Sequence, residues 1–187
     1  MKKIISMILA IILMFTLVSC TSPASTPSSA PLNMADVSTP ELDGVAYTAY
    51  GIQFEANEDW WVTEIGTHTY IVFYDTETCS FLLAAPKDAK YVTLSKAYVE
   101  GYAIGFSASL GSNSSIGTAT QVVVDNKNVW TIDASATVNG QKMEITIWMY
   151  GDNDVIYTWI FLATPDDYEA NLPYVQAVIK SMKLPVS

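Results

Sequence analysis

Between residues 119 and 163, apolar and polar residues alternate, and short Asn/Asp/Gly groups break the alternation at regular intervals. Period-two patterning of this kind marks half-buried strands, and the breaks mark turns. They fall at Asp125-Asn126-Lys127-Asn128, Asn139-Gly140 and Gly151-Asp152-Asn153-Asp154, so the segment reads as a four-stranded meander. Asn139-Gly140 is the best specified, because a type I′ hairpin turn needs positive φ at both central residues. A two-residue turn there pairs Val138 with Gln141. Stepping outward, it sets Ala136 against Met143, Ala134 against Ile145, Ile132 against Ile147 and Trp130 against Met149. These outer pairs are apolar on both strands, so their face is predicted to be core. A turn at Asp152-Asn153 sets Met149 against Ile156 and Ile145 against Ile160, which extends the same face. It also makes Trp148 and Tyr157 cross-strand neighbours.

Upstream, Gly51 to Ala56 alternates as a first strand, and Trp60 to Ile65, Thr69 to Tyr74 and Phe81 to Ala85 read as three more. Thr93 to Leu110 has helical spacing with two apolar or small stripes. One comprises Leu94, Tyr98, Gly101, Gly105 and Ala108, the other Val99, Ala103, Phe106 and Leu110, so the helix is expected to be buried on two sides. Gly111 to Gly117, rich in Ser, Asn and Gly, reads as a loop. After the meander, Thr164 can cap a helix, Pro165 suits its first position, and Asp166 and Asp167 favour the positive end of its dipole. Pro173 is expected to interrupt it. The main C-terminal helix is then predicted from near Asn171, with Leu172, Val175, Val178, Ile179 and Met182 toward the core and Lys180 and Lys183 near its end. Strands, helix, strands, helix is an α+β order with an antiparallel sheet.

The N-terminal pattern is different. Lys2 and Lys3 precede a nearly unbroken apolar run from Ile4 to Phe15. Such a run is shorter than the roughly 20 residues that span a bilayer and matches the apolar region of an export signal. It closes on Leu17-Val18-Ser19-Cys20, which resembles the lipobox of bacterial lipoproteins. That resemblance implies lipidation of Cys20 as the new N-terminus, with attachment to a bacterial membrane outside the cytoplasm. Two acyl chains suffice for stable anchoring where one is marginal. Thr21 to Pro40 is dominated by Ser, Thr, Pro and Ala with one acid, a composition that stays flexible and extended. The expected organisation is a signal peptide at 1–19, the lipidated Cys and a Ser/Thr/Pro tether at 20–44, and one α+β domain at 45–187.

Charge narrows the partners. The chain has nine lysines, no arginine and 19 acids, and losing Lys2 and Lys3 with the leader takes its formal charge from −10 to −12. Nucleic acid is excluded on that balance, because its binding rests on neutralising phosphates. An anionic lipid surface is repelled, so a lipid tail must provide the hold. With Cys20 acylated, Cys79 has no partner for a disulfide and reads as a small buried residue in an apolar run. His68 stands alone, so the donors for zinc are lacking. Gly105-Phe106-Ser107-Ala108-Ser109 fails the nucleophile-elbow pattern at its last position. Asp152-Asn153-Asp154 lacks the length of a calcium loop and reads as turn chemistry. No cofactor and no catalytic group is expected.

The second face of the meander carries Glu144, Thr146, Trp148 and Tyr150 beside Val155, Tyr157, Trp159 and Phe161. Either a helix covers these rings, as a sandwich requires, or they form an exposed binding patch. The expectation is a covered face at Trp148, with any exposed patch nearer Tyr150 and Tyr157. Trp148, Tyr150, Tyr157 and Trp159 are therefore the candidate binding residues.

Two segments carry a family resemblance. Gly51-Ile52-Gln53-Phe54-Glu55-Ala56-Asn57-Glu58-Asp59-Trp60 and Tyr174-Val175-Gln176-Ala177-Val178-Ile179-Lys180-Ser181-Met182-Lys183-Leu184 are similar to the opening and closing segments of the Mog1/PsbP-like family. The resemblance implies an α-β-α sandwich with an antiparallel sheet of about seven or eight strands flanked by helices. Members of that family mostly bind other proteins and share no catalytic motif. The expected function is a lipid-anchored, non-catalytic module binding a protein or envelope component. The alternatives are a small-molecule-binding lipoprotein and, behind it, a hydrolase.

Overall fold

The computed structural model describes residues 31–58, 60, 71–75, 78–90 and 92–185. The meander is its centre. Strands β7 (Thr120–Val124), β8 (Lys127–Val138), β9 (Gln141–Asp152) and β10 (Val155–Ala163) follow one another antiparallel. Their turns are Asp125-Asn126, Asn139-Gly140 and Asn153-Asp154, and in each both residues have positive φ. Asn and Asp tolerate that region because their short polar side chains can bond locally.

The β8–β9 register is the one expected, from Val138 opposite Gln141 to Trp130 opposite Met149. The β9–β10 register differs. The turn sits one residue later, at Asn153-Asp154, so Trp148 faces Trp159 and Tyr150 faces Tyr157, not Trp148 facing Tyr157. Moving a two-residue turn by one position slides the partner strand by two residues. Every side chain keeps its face, and aromatic now meets aromatic across the ladder.

β10 continues the sheet to β5 (Cys79–Asp88), which pairs with β4 (Ile71–Asp75). Beyond β7 lies β1 (Leu32–Asn33), parallel to it, and β6 (Ser112–Ile116) takes the remaining edge of β8. The result is a mixed eight-stranded sheet. A separate hairpin of β2 (Val45–Ala49) and β3 (Ile52–Ala56) lies against it. The expected loop at 111–117 is thus an edge strand. Ser115 and Ser135 share a hydroxyl hydrogen bond across it at 2.8 Å. Gly111 admits the close approach, since a Cβ there would stand 1.9 Å from the Thr137 carbonyl oxygen.

Helix α1 (Lys96–Leu110) covers one face of the sheet, capped by the Ser95 hydroxyl, which accepts from the Tyr98 N–H at 3.3 Å. Of the two stripes it buries the second, Val99, Ala103, Phe106 and Leu110, with Ser107 beside them. Gly101 and Ala108 are exposed, so the helix is buried on one side and not two. Below it pack Ile132, Ile145, Ile147, Ile156 and Ile160, the predicted core face.

Helix α2 (Pro165–Ser181) covers the other face together with the β2–β3 hairpin. It runs through Pro173 without a break. Pro173 removes the donor for the carbonyl of Glu169, but Glu169 is exposed, so water can take the vacated position. The hairpin is tied to the end of α2 by Gln53 N–H to Lys183 O at 3.1 Å and Lys183 N–H to Gln53 O at 2.8 Å.

The tether expected over 20–44 differs in its second half. Leu32 and Asn33 pair with Val122 and Val123, and Met34 opens a 3₁₀ turn over Met34–Asp36. The Met34 side chain is only 4% exposed and joins the core beneath α2. Lys180 Nζ donates to the Val37 carbonyl at 2.8 Å, pinning the segment's far end. Composition called this stretch flexible, but one buried methionine and a sheet edge hold it. The predicted strand at Trp60 to Ile65 lies, beyond Trp60, outside the described residues.

Candidate functional site

The four candidate binding aromatics all project from β9 and β10 toward α2. Trp148 and Trp159 are 3% and 1% exposed, and Tyr150 and Tyr157 are 7% and 8% exposed. They form one buried cluster with Ile52 and Phe54 of β3 and Val175, Val178 and Ile179 of α2. The Tyr150 and Tyr157 rings stack at 6.0 Å, and Tyr157 stacks on Trp159 at 6.5 Å. Phe81 meets Trp148 edge-on at 6.2 Å and Phe161 at 6.4 Å. The covered face at Trp148 is as expected. An exposed patch at Tyr150 and Tyr157 is not what the fold builds, because the hairpin and the end of α2 reach them. Burial raises both tyrosine hydroxyls above their ordinary pKa, and the Asp152 carboxylate adds to the rise in each. These rings are core, and a binding surface must be sought elsewhere.

Cys20 and His68 lie outside the described residues. Cys79 is buried and belongs to the same aromatic cluster. Among the described residues no group of three or more His, Cys, Asp or Glu is placed to hold a metal ion.

Toward the opposite end, the same sheet face turns polar. Tyr168 of α2, Thr146 of β9 and Asp133 of β8 form a chain: the Thr146 hydroxyl donates to Asp133 Oδ1 at 2.7 Å and also contacts the Tyr168 hydroxyl. Thr146 has one proton and gives it to the carboxylate, so Tyr168 donates to Thr146. Burial foremost, then the Asp133 and Glu144 carboxylates, push the Tyr168 hydroxyl up.

The feature that sequence reading missed is a polar cleft of about 190 Å³ where the N-terminal strap, the β7–β8 turn and the end of α2 meet. Asn33, Asp125, Asn126, Lys180 and Lys183 contribute to its lining. It is smaller than the roughly 300–1,000 Å³ usual for small-molecule sites. Its charges are already engaged. Asp125 accepts from the Leu184 N–H at 3.0 Å and lies 3.5 Å from Lys183 Nζ. Lys127 Nζ donates to the carbonyls of Leu184 and Pro185 and stands 5.5 Å from the Tyr150 ring centroid. The cleft therefore fastens the C-terminus to the sheet. The Lys180 and Lys183 positions carry a helix-end signal in the sequence, but nothing in their spacing ties them to residues 33 or 125.

Comparison with solved structures identifies this layering. The solution structure of cyanobacterial PsbP (CyanoP) from Synechocystis sp. PCC 6803 superposes with a TM-score of 0.60 at 10% identity, over 75% of this chain and 92% of that one. The fold is a PsbP-like α+β sandwich. A protein of unknown function, PA94 from Pseudomonas aeruginosa, aligns with a TM-score of 0.51 at 11% identity, over 77% of this chain and 98% of that one. No protein-family model matches the sequence, and no curated protein matches it. The PsbP-like architecture agrees with the expected sandwich and, at such identities, speaks for the fold alone.

Proposed function

We propose that this chain is a lipid-anchored, extracytoplasmic, non-catalytic module that binds a protein or another component of the cell envelope. The observation that carries the reading is the N-terminal pattern: Lys2-Lys3, the apolar run from Ile4 to Phe15, and Leu17-Val18-Ser19-Cys20 at its end. Among the described residues no helix is long and apolar enough to cross a membrane. In this reading the acyl chains on Cys20 hold the domain at the bilayer surface. The non-catalytic part rests on composition. One histidine and no arginine leave few of the groups that acid–base or phosphoryl chemistry draws on. Trp148, Tyr150, Tyr157 and Trp159 are committed to the core, which directs partner binding to the polar outer surfaces.

The test is acylation. The mature wild-type protein should carry a diacylglyceryl mass on an N-terminal Cys20 and partition into detergent. Cys20→Ser should lose both. A Cys20→Ser protein that still carries lipid, or a wild-type protein without it, would overturn the anchor.

A further inference from the structure

The β2–β3 hairpin leaves one backbone edge open. Its two-residue turn, Tyr50-Gly51, has φ of 52° and 79°, and Ala49 and Ile52 flank it. The residues flanking such a turn exchange both backbone bonds, and the pattern alternates from there. Ala49, Tyr47 and Val45 thus spend their backbone groups on β3, and Thr48 and Ala46 point theirs away from it. The other edge of the hairpin has the same parity. Gln53, opposite Thr48, turns its N–H and C=O outward to Lys183, and the N–H of Glu55, opposite Ala46, donates outward to Ser181 Oγ at 2.9 Å. No described strand takes the corresponding groups of Ala46 and Thr48, and both residues are exposed. Val45, on the core-facing side opposite the buried Ala56, is still 48% exposed.

Exposed edges are ordinarily blunted by a charge, a proline or a bulge. The margin at β6 is blunted in this way: its register shifts between Ser112 and Ser115, and Asn113 has φ of 51°. β2 has none of these devices. Its five residues pair with β3 without a shift, and from Gly44 to Phe54 the chain has no charged residue and no proline. Val45, Tyr47 and Thr48 are of the β-branched and aromatic types that suit a strand.

We propose that β2 is a self-association edge: the β2 strands of two copies of this chain pair antiparallel about a two-fold axis at Tyr47, joining two hairpins into one four-stranded sheet. This is the register that pairs every residue of β2. Ala46 lies opposite Thr48 of the second copy, and Thr48 opposite its Ala46, so the outward-pointing backbone groups of each strand satisfy those of the other. A two-fold contact requires such self-complementarity, and strand addition draws its affinity from main-chain bonds. Tyr47 meets its own symmetry mate at a non-hydrogen-bonded position, where side chains come closest. It already stacks on Phe54 at 5.6 Å, so a row of four rings crosses the axis. Val45 gains Ala49 of the second copy as cover. Charge favours this occupant at this place. The chain has 19 acids against nine lysines, so two copies repel wherever their carboxylates meet. At β2 they stay apart. Asp43 of the two copies falls at opposite ends of the pair. The two Glu55 backbones stand three strand spacings apart, about 14 Å, beyond the Debye length of about 10 Å at 0.1 M salt. The pairing is a property of the folded domain and does not depend on the lipid anchor.

The test uses the full chain, purified in detergent and mildly oxidised, with an added cysteine at Ala46→Cys or Thr48→Cys. Residues directly opposite in a hydrogen-bonded antiparallel pair have Cα atoms about 5.5 Å apart, within disulfide reach. Each of these positions lies about 9 Å from its own symmetry mate, which is out of reach. The wild-type chain, with Cys20 and Cys79 alone, sets the background, and Gln141→Cys reports chance collision. The expected result is a disulfide-linked dimer several-fold more abundant in an equal mixture of the Ala46→Cys and Thr48→Cys proteins than in either alone or in Gln141→Cys. Sedimentation equilibrium of the wild type should show a concentration-dependent dimer that Thr48→Pro abolishes. Proline there removes an N–H that the hairpin does not use and is tolerated on an edge, so the variant should melt near the wild type. Should it melt early, the cross-links still read the pairing. A dimer undiminished by Thr48→Pro overturns β2 as the interface. Cross-linking of Ala46→Cys with itself as readily as with Thr48→Cys overturns the register at Tyr47. A monomer at every concentration, with cross-links at background, overturns the second copy as the occupant and leaves the edge to a strand of another protein.

Discussion

Trp148 and Tyr150 test whether the aromatic face is core. Trp148 is wedged edge-on against Phe81, and Tyr150 is stacked on Tyr157 with the Lys127 ammonium nearby. Truncating a large buried ring costs about 3–5 kcal/mol, because the site collapses only partly. Trp148→Ala and Tyr150→Ala should therefore both lower the urea midpoint at unchanged slope. A loss within about ±0.5 kcal/mol, the range for exposed positions, would mean that the face is open. The tyrosines make a second prediction. Tyr98, Tyr150, Tyr157 and Tyr168 all have pKa values raised by burial. A tyrosine held neutral in the fold above its unfolded pKa keeps its full contribution below that pKa, about 10. Above it the unfolded state binds fewer protons than the native state, so stability falls as pH rises. Urea midpoints should be level through pH 9 and drop above 10, and Tyr168→Phe should lessen the drop. A midpoint rising above pH 10 would contradict this.

At the scale of elements, the three meander turns share one geometry but not one residue type. Gly140 has φ of 83° and empty space where a Cβ would go, whereas Asp154 has φ of 63° with its side chain in place. A left-handed conformation costs an L-residue roughly 1–2 kcal/mol. Gly140→Ala should thus destabilise the protein by about 1 kcal/mol, and Asp154→Gly should stabilise it by a similar amount. The two changes have opposite signs in one thermal-melting comparison. Equal signs would show that the turns are not the strained points. The N-terminal strap is the other element to test. Met34→Ala should cost about 2–4 kcal/mol, as for other buried methionines, and removing residues 32–37 should cost at least as much. If chains beginning at residue 31 and at residue 38 melt together, the strap adds nothing to the fold.

For the molecule as a whole, the sandwich has one core on each side of the sheet, and different residues of the same strands supply them. Ile145 and Ile147 face α1, while Thr146 and Trp148 face α2. Because β9 is buried on both faces, it cannot lose either layer alone. Unfolding should be cooperative, with tryptophan fluorescence and far-ultraviolet dichroism changing at one midpoint. Separate midpoints would indicate that the α1 layer and the α2 layer unfold independently.

The sequence by itself determined what depends on neighbours along the chain. Asn139-Gly140 specifies a two-residue turn, and period-two alternation then sets the β8–β9 register and both strand faces. Thr164 and Pro165 mark a helix start, whereas the spacing placed the start of α1 at Thr93, two residues ahead of its Ser95 cap. The β9–β10 turn was legible to within one residue, and parity preserved its faces. Other features depended on segments far apart. Lys180 meets Val37 across 143 positions, and Asp125 meets Leu184 across 59. The strap's Met34, the pairing of the Ser-rich strand β6 and the unbroken helix through Pro173 were all decided there. Spacing along the chain encodes backbone angles and which face a side chain takes. It does not encode which distant surface buries that face, so composition called the strap a tether and left the cover of Tyr150 and Tyr157 open until packing settled both.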